Sequence, residues 1–309
     1  MTGSKAPLPV AVLGAGLMGH GIALVMTRAG HAVRIADPAE AARAALLERV
    51  RTSLDLLGES DRAEAVLSNI AVVETLAEAV AEAGLVIEAA PEKLTLKQAL
   101  FAEVEAHAPR DAILASNTSV MPITQIMAGL THRERALGTH WWNPPHQIPL
   151  VEVIRTEWTD ETVANTMFDI LAQAGKRPVH VARDVPGFIG NRLQHALWRE
   201  AVALVESGVC DAEAVDTVVK ASFGRRLAVL GPLENADLVG TDLTLDIHSQ
   251  VLSDLDARGV PSPYLEGLVA RGRLGMKTGE GFRPWAAGEA EAVRARVATH
   301  LKRLESILP

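Results

Sequence analysis

A wholly apolar run, Val10–Leu13, passes without a spacer into Gly14-Ala15-Gly16-Leu17-Met18-Gly19, and this junction constrains the fold more than any other stretch. A short unbroken apolar run marks a strand buried on both faces of a parallel sheet. After the glycines, Met18, Ile22, Val25 and Ala29 recur at helical spacing up to Gly30, which reads as a C-terminal stop. Ala32–Ala36 is the next strand, and it ends in Asp37. Strand, glycine turn, helix, strand and terminal acid is the order that holds a dinucleotide. Gly14 permits the tight turn, Gly16 lets backbone approach a pyrophosphate at the helix N-terminus, and Gly19 lets the helix pack on the strand, with Leu17 and Met18 completing the loop. Asp37 would accept hydrogen bonds from a ribose 2′-hydroxyl and repel a 2′-phosphate, so the expected cofactor is NAD rather than NADP.

The same grammar continues along the chain. A long helix is expected over Pro38–Leu57 and a shorter one near Asp61–Leu67. Ile70–Val73 and Leu85–Ile87 read as strands on either side of a helix over Leu76–Ala83. Ala112–Ala115 is the fifth strand, running into Ser116-Asn117-Thr118-Ser119. Polar groups at the carboxyl ends of parallel strands line the crevice of a doubly wound sheet, which makes Ser119 either a substrate contact or a helix cap before Pro122. Thr159–Ala174 is helical and Pro178–Ala182 is a last strand. Beyond Asp184 strand signals largely stop, and Ile189, Leu193, Leu197, Ala201 and Leu204 set out a helical period. Further helices are expected over Asp211–Ala221, Gly231–Val239, Thr241–Leu255, Ser262–Ala270 and Gly288–Ile307. The expected fold class is α/β, a Rossmann-type doubly wound sheet over residues 1–184 followed by a smaller all-helical domain over residues 185–309.

Within the first part, between the fifth strand and the helix over Thr159–Ala174, lies His140-Trp141-Trp142-Asn143-Pro144-Pro145-His146-Gln147-Ile148-Pro149-Leu150-Val151-Glu152. If Ile148–Ile154 is a strand, its alternation places Glu152 among apolar neighbours, where an unpaired carboxylate is costly. The prolines stiffen a turn that can bring His140 back to it. Such a pair is either a satisfied structural contact, the commoner case, or a base with an orienting acid of the kind alcohol oxidation requires.

Composition narrows the function classes. The chain has 309 residues, a 48% apolar fraction and a net charge of -8, with no run of lysines or arginines to meet a phosphate backbone, so nucleic acid is not an expected partner. A single cysteine, Cys210, excludes an internal disulfide framework and a cysteine-built zinc site, and it suits a reducing cytoplasm. The start, Met1–Pro9, carries one lysine and no long apolar stretch, and no apolar run suffices to span a membrane, so the chain is expected to be soluble and untargeted.

Taken together, these motifs resemble the NAD-dependent L-3-hydroxyacyl-CoA dehydrogenase family over nearly the whole chain. The matching residues are the glycine fingerprint, Glu92 with Lys97, Ser116–Ser119, His140 with Asn143-Pro144, Leu150–Val153, Asp184-x-Pro186-Gly187-Phe188-x-x-Asn191-Arg192 and Lys277–Phe282. The resemblance implies a catalytic His140–Glu152 pair, with Ser119 and Asn191 fixing the substrate oxygen. It further implies cofactor contacts from Glu92, Lys97, Asn117 and Asn143, no metal, and a homodimer formed through the helical domain. Two departures bear on the substrate. Trp141-Trp142 stands where the family usually has two phenylalanines; these indoles are either core residues or part of the pocket. Phe223-Gly224-Arg225-Arg226 through Pro232 replaces a shorter turn, and this form is more like offshoots acting on free hydroxy acids or ring alcohols such as L-gulonate, carnitine or pyridine carboxylates.

The resemblance orders the readings. Oxidation of a 3-hydroxyacyl-CoA in fatty-acid metabolism comes first, the same chemistry on a small free acid gripped by Arg225 or Arg226 second, and a non-enzymatic NAD-binding protein last. In the acyl-CoA enzymes lysines after the second strand help hold the carrier. The corresponding stretch here, Arg43–Ser68, has Arg43, Arg49, Arg51 and Arg62, no lysine and a slight acidic balance, enough at most for a weak carrier site.

Overall fold

The computed structural model describes residues 7–307; most of the lysine-poor lead-in, residues 1–6, and residues 308–309 lie outside the described residues. The chain separates into two compact units that part between Arg192 and Leu193. The first runs β1 (Val10–Leu13), α1 (Gly19–Arg28), β2 (Val33–Ala36), α2 (Glu40–Ala44), α3 (Leu46–Leu57), α4 (Ala63–Leu67), β3 (Ile70–Val73), α5 (Leu76–Val80), β4 (Leu85–Glu88), α6 (Leu94–His107), β5 (Ile113–Ser116), α7 (Ile123–Ile126), β6 (Ala136–Trp141), β7 (Leu150–Ile154), α8 (Glu161–Gln173) and β8 (Arg177–Val181).

The strands form one eight-stranded sheet in the order β3-β2-β1-β4-β5-β6-β7-β8. All neighbours are parallel except β6 and β7, which form an antiparallel pair. Every residue of β1, β4 and β5 is buried, as apolar runs require when helices cover both faces, and the polar residues that close β4 and β5, Glu88 and Ser116, are buried with them. Alternation divides β1 between the two cores. Val10 and Val12 pack with Ile22 of α1, Val50 of α3 and Ile170 of α8. Ala11 and Leu13 pack with Val80 of α5, Phe101 of α6 and Ile123 of α7. Each fully buried Val, Leu or Ile side chain contributes roughly 1.5–3 kcal/mol, so the sheet's central strands carry much of this unit's stability.

Two local readings are corrected. The helix expected over Pro38–Leu57 is two helices that meet at Ala45. Only the second has an apolar face, burying Leu46, Val50 and Leu54, whereas α2 buries nothing, so the core fixes the direction of α3 alone. The strand expected from Ile148 starts at Leu150 instead, because the Gln147 and Ile148 N–H groups both turn back to the Pro144 carbonyl and Pro149 has no N–H to give a ladder.

The second unit is helical. It takes up most of α9 (Gly190–Glu206), which begins in the first unit, and continues through α10 (Ala212–Ala221), α11 (Pro232–Val239), α12 (Thr241–Val251), α13 (Pro263–Ala270) and α14 (Glu289–Ile307). Arg258 ties the unit internally, 2.6 Å from both Glu206 and Asp256. No helix among the described residues is long and apolar enough to cross a membrane.

Candidate active site

The antiparallel register sets His140 directly opposite Glu152. His140 Nδ1 lies 2.7 Å from Glu152 Oε2, and both residues are buried. An ionised carboxylate only accepts, so Nδ1 is the donor in this bond, and in the neutral ring the lone pair is on Nε2. Glu152 Oε1 accepts from the N–H groups of Ile189 at 2.8 Å and Gly190 at 3.1 Å. Burial pushes the Glu152 carboxyl upward, but the hydrogen bonds from His140, Ile189 and Gly190 outweigh it and hold the group below its ordinary value. The imidazole lies between two rings, Trp142 with centroids 5.1 Å apart and Phe188 at 5.6 Å.

That arrangement depends on the segment after β8. Asp184 Oδ2 accepts from both the N–H and the hydroxyl of Thr124 at 2.6 Å, and Gly187 N–H donates to the Val120 carbonyl. The turn so anchored forces Phe188 to φ 51°, a left-handed conformation costing a non-glycine residue about 1–3 kcal/mol, and it delivers the Ile189 and Gly190 N–H groups to Glu152. Gly190 has to be glycine, since a Cβ there would lie 2.5 Å from the Trp142 ring. Asn191, one residue on, donates from Nδ2 to the Ser119 carbonyl at 2.7 Å.

Ser119 is therefore clamped through its peptide groups. Its N–H donates to Glu92 Oε1 at 2.5 Å, while its hydroxyl makes no hydrogen bond among the described residues. Glu92 also accepts from the Thr118 hydroxyl. Asn117 is turned inward, its Oδ1 accepting from Trp141 N–H at 3.0 Å. Asn143 is exposed, and Trp141 is core while Trp142 is half-buried.

Lys97 is not a surface contact. It is wholly buried, with Nζ 2.6 Å from Glu88 Oε1, 3.1 Å from the Ala90 carbonyl and 3.5 Å from Glu92. These three oxygens match the three donors of an ammonium group, so Lys97 supports the strand-end loop from beneath instead of presenting a donor outward. Glu88 is equally buried and accepts from Ser116 and Ala90 N–H as well. Sequence reasoning gave Glu88 no role and quoted Ser116 only as part of the strand-end motif. The available signal was an acid closing an apolar strand, which needs a cation nearby.

The glycine loop sits where the strand order reverses, between β1 and β4. Gly14 has φ +113°, and a Cβ on it would meet the Ala89 carbonyl at 2.7 Å; a Cβ on Gly19 would collide with the Gly14 carbonyl. Around Gly16, by contrast, a Cβ would find nothing within 4 Å, so the chain leaves open the place where a pyrophosphate needs close approach. Leu17 is exposed beside this opening. Asp37 accepts from the N–H groups of Ala15 and Ala39, both at 2.8 Å, which fixes its carboxylate at the end of β2. The residues fit a dinucleotide. Arg225 and Arg226 lie in the second unit, exposed, with side chains in no hydrogen bond among the described residues.

A doubly wound sheet with this loop and a buried His–Glu pair define an NAD-dependent oxidoreductase acting on a hydroxyl-bearing substrate. The comparisons agree: residues 9–185 match the NAD binding domain of 3-hydroxyacyl-CoA dehydrogenase, and residues 187–285 match its C-terminal domain. The chain belongs to the 3-hydroxyacyl-CoA dehydrogenase family. It is 37% identical, over 97% of each chain, to 5-formyl-3-hydroxy-2-methylpyridine 4-carboxylate 5-dehydrogenase of Mesorhizobium japonicum. A solved structure of an enzyme of that name, described as an NAD+ dependent dismutase, superposes with a TM-score of 0.90 at 36% identity, covering 98% of this chain and 99% of that one. An (S)-3-hydroxybutyryl-CoA dehydrogenase from Ralstonia eutropha superposes with a TM-score of 0.76 at 31% identity, covering 91% of this chain and all (100%) of that one.

One prediction follows from Asp37. Catalytic efficiency with NAD should exceed that with NADP, and Asp37→Ala should narrow the ratio by removing a fixed negative charge. Arg43, whose Nη1 donates to the Asp37 carbonyl at 2.6 Å, remains in the variant as a cation beside the site. Equal efficiencies in the parent would contradict the assignment.

Proposed function

We propose that this chain oxidises the hydroxyl-bearing carbon of a small free acid or ring alcohol, without a coenzyme A carrier. The observation that carries the reading is the fate of the four arginines in the stretch after β2. Arg43 donates to the Asp37 and Pro38 carbonyls and Arg49 to the Ala15 carbonyl, while Arg51 lies 3.6 Å from Glu64 and Arg62 3.3 Å from Glu59. Three are drawn to oxygens of the surrounding chain, the fourth, Arg49, is turned to the glycine loop, and no lysine lies in the stretch to hold a phosphate-rich carrier. The higher structural similarity to a pyridine-carboxylate enzyme than to the Ralstonia acyl-CoA enzyme supports the same ordering, which reverses the one suggested by sequence.

In this reading His140 Nε2 takes the hydroxyl proton, and the Glu152 carboxylate stabilises the imidazolium that forms. Bound NAD supplies the hydride acceptor, held by Gly14, Gly16, Gly19 and Asp37. The Ser119 hydroxyl and the Asn191 amide orient the substrate oxygen, with Asn191 already fixed on the Ser119 carbonyl. Trp142 and Phe188 keep water from the imidazole. Arg225 and Arg226 offer planar forks suited to a substrate carboxylate.

The test is Arg226→Ala, alone and with Arg225→Ala. Removing a charge-assisted contact of about 1.5–3 kcal/mol should raise KM for the free acid by roughly tenfold or more and leave KM for NAD unchanged. An unaltered KM in the double variant would remove the arginines from the site.

Work in a reducing compartment and pairing with a second copy of the chain belong to the same reading. Leu233 and Leu238 of α11 are 80% and 73% exposed, an apolar load that a partner's surface would cover. A solution mass equal to a single chain would exclude the pair.

A further inference from the structure

The glycine loop is held from the side by a cation that neither the motif nor the fold assigns. Arg49, on α3, reaches back so that Nη1 donates to the Ala15 carbonyl at 3.0 Å. The Ala15 N–H donates to Asp37 Oδ2 at 2.8 Å, so Ala15 is braced on one side by a carboxylate and on the other by a guanidinium. Gly16, the next residue, faces the open space described above.

Two features distinguish Arg49 from a simple clasp. It is exposed, and its guanidinium uses only this one bond to a neutral carbonyl among the described residues, leaving further donors of a planar fork at the loop. The other basic groups nearby are otherwise engaged. Arg43 is turned to Asp37 and Pro38, and His20 is bound at Nδ1 by the Gly16 carbonyl and at Nε2 by Ser53. Burial first, then the charge of Arg49, keeps the His20 imidazole below its ordinary value in spite of the Gly16 bond, so His20 brings no charge at neutral pH. The loop itself offers only backbone dipoles to a doubly charged ligand.

We propose that Arg49 is a pyrophosphate-contact residue of the NAD site, supplying side-chain charge where the glycine loop has none. The inference rests on the dinucleotide site alone, and it stands or falls independently of the substrate reading.

The experiment is calorimetric titration of the intact protein with adenosine, ADP and NAD, at low and moderate salt, for the parent, Arg49→Gln and Arg49→Lys. Glutamine keeps a donor for the Ala15 carbonyl and loses the charge. Its affinity for ADP and NAD should fall about tenfold, its affinity for adenosine should hold, and the salt dependence of NAD binding should flatten. Lysine should retain much of the salt dependence. Unchanged ADP affinity in Arg49→Gln would overturn the proposal, as would an equal loss for adenosine and ADP, which is the mark of a loop clasp only. Thermal unfolding of each variant in parallel separates a folding defect from lost binding, and if Arg49→Gln is unstable, Arg49→Met decides: a loss for ADP well above that for adenosine supports the contact, and an equal loss overturns it.

Discussion

His140→Ala is expected to lower turnover by about 10²–10⁴-fold while NAD affinity stays close to the parent's, because the general base is lost and the cofactor loop is not touched. His140 is buried on β6 and contacts Glu152, Trp142 and Phe188, whereas the glycines and Asp37 lie at the ends of β1 and β2. Glu152→Gln should also slow turnover. The parent carboxylate accepts from His140 on one oxygen and from Ile189 and Gly190 on the other. A carboxamide has one accepting oxygen, so it satisfies either the imidazole or the two backbone donors and sets its own N–H groups against the rest. The measurement is single-turnover NADH formation alongside equilibrium NAD binding. Parent-like turnover in the His140 variant would show that the base lies elsewhere.

Lys97→Met should be the most destabilising of these changes, although Lys97 touches no reacting atom. The side chains of Lys97 and Glu88 are both fully enclosed, so the single change strands a buried carboxylate with only Ser116 and Ala90 N–H as partners. Breaking a buried pair in this way costs roughly 3–5 kcal/mol, which corresponds to a fall in Tm on the order of 10 °C. It also removes the cation beside Glu92, and with it support for the Ser119 N–H contact. Neutralising both partners, Glu88→Gln with Lys97→Met, should recover a large part of the loss, since no charge is then left unpaired. Urea and thermal unfolding of the two variants check this. A single variant as stable as the parent, or a double variant no better than the single one, would contradict the account.

The parts of this molecule that were legible in its sequence are those fixed by near neighbours. Val10–Leu13 with its glycines reads as strand, turn and helix because each residue's burial and backbone freedom are set within the same unit. The His140–Glu152 pair was legible as two possibilities, since strand alternation and a proline turn bring the residues together without saying what the pair does. The rest depends on contacts distant in the chain. The N–H groups that hold Glu152 reach it only because Asp184 is tied to Thr124 and Phe188 takes a left-handed turn. Lys97 was read only as a cofactor contact implied by the resemblance, because nothing local shows that Glu88 lies against it. The break at Ala45 was hidden for a related reason: helix propensity runs through it, and only the core reveals that α3 alone has a face to bury.

The central claim is NAD-dependent oxidation of a small substrate that carries no coenzyme A. It is tested most directly by measuring NADH formation, under identical conditions, from 3-hydroxybutyryl-CoA and from a panel of free hydroxy acids and hydroxymethyl pyridine carboxylates. The account predicts that at least one free acid or ring alcohol is turned over with a kcat/KM at least tenfold above the thioester's. Efficient oxidation of the thioester beside an inert panel would contradict it.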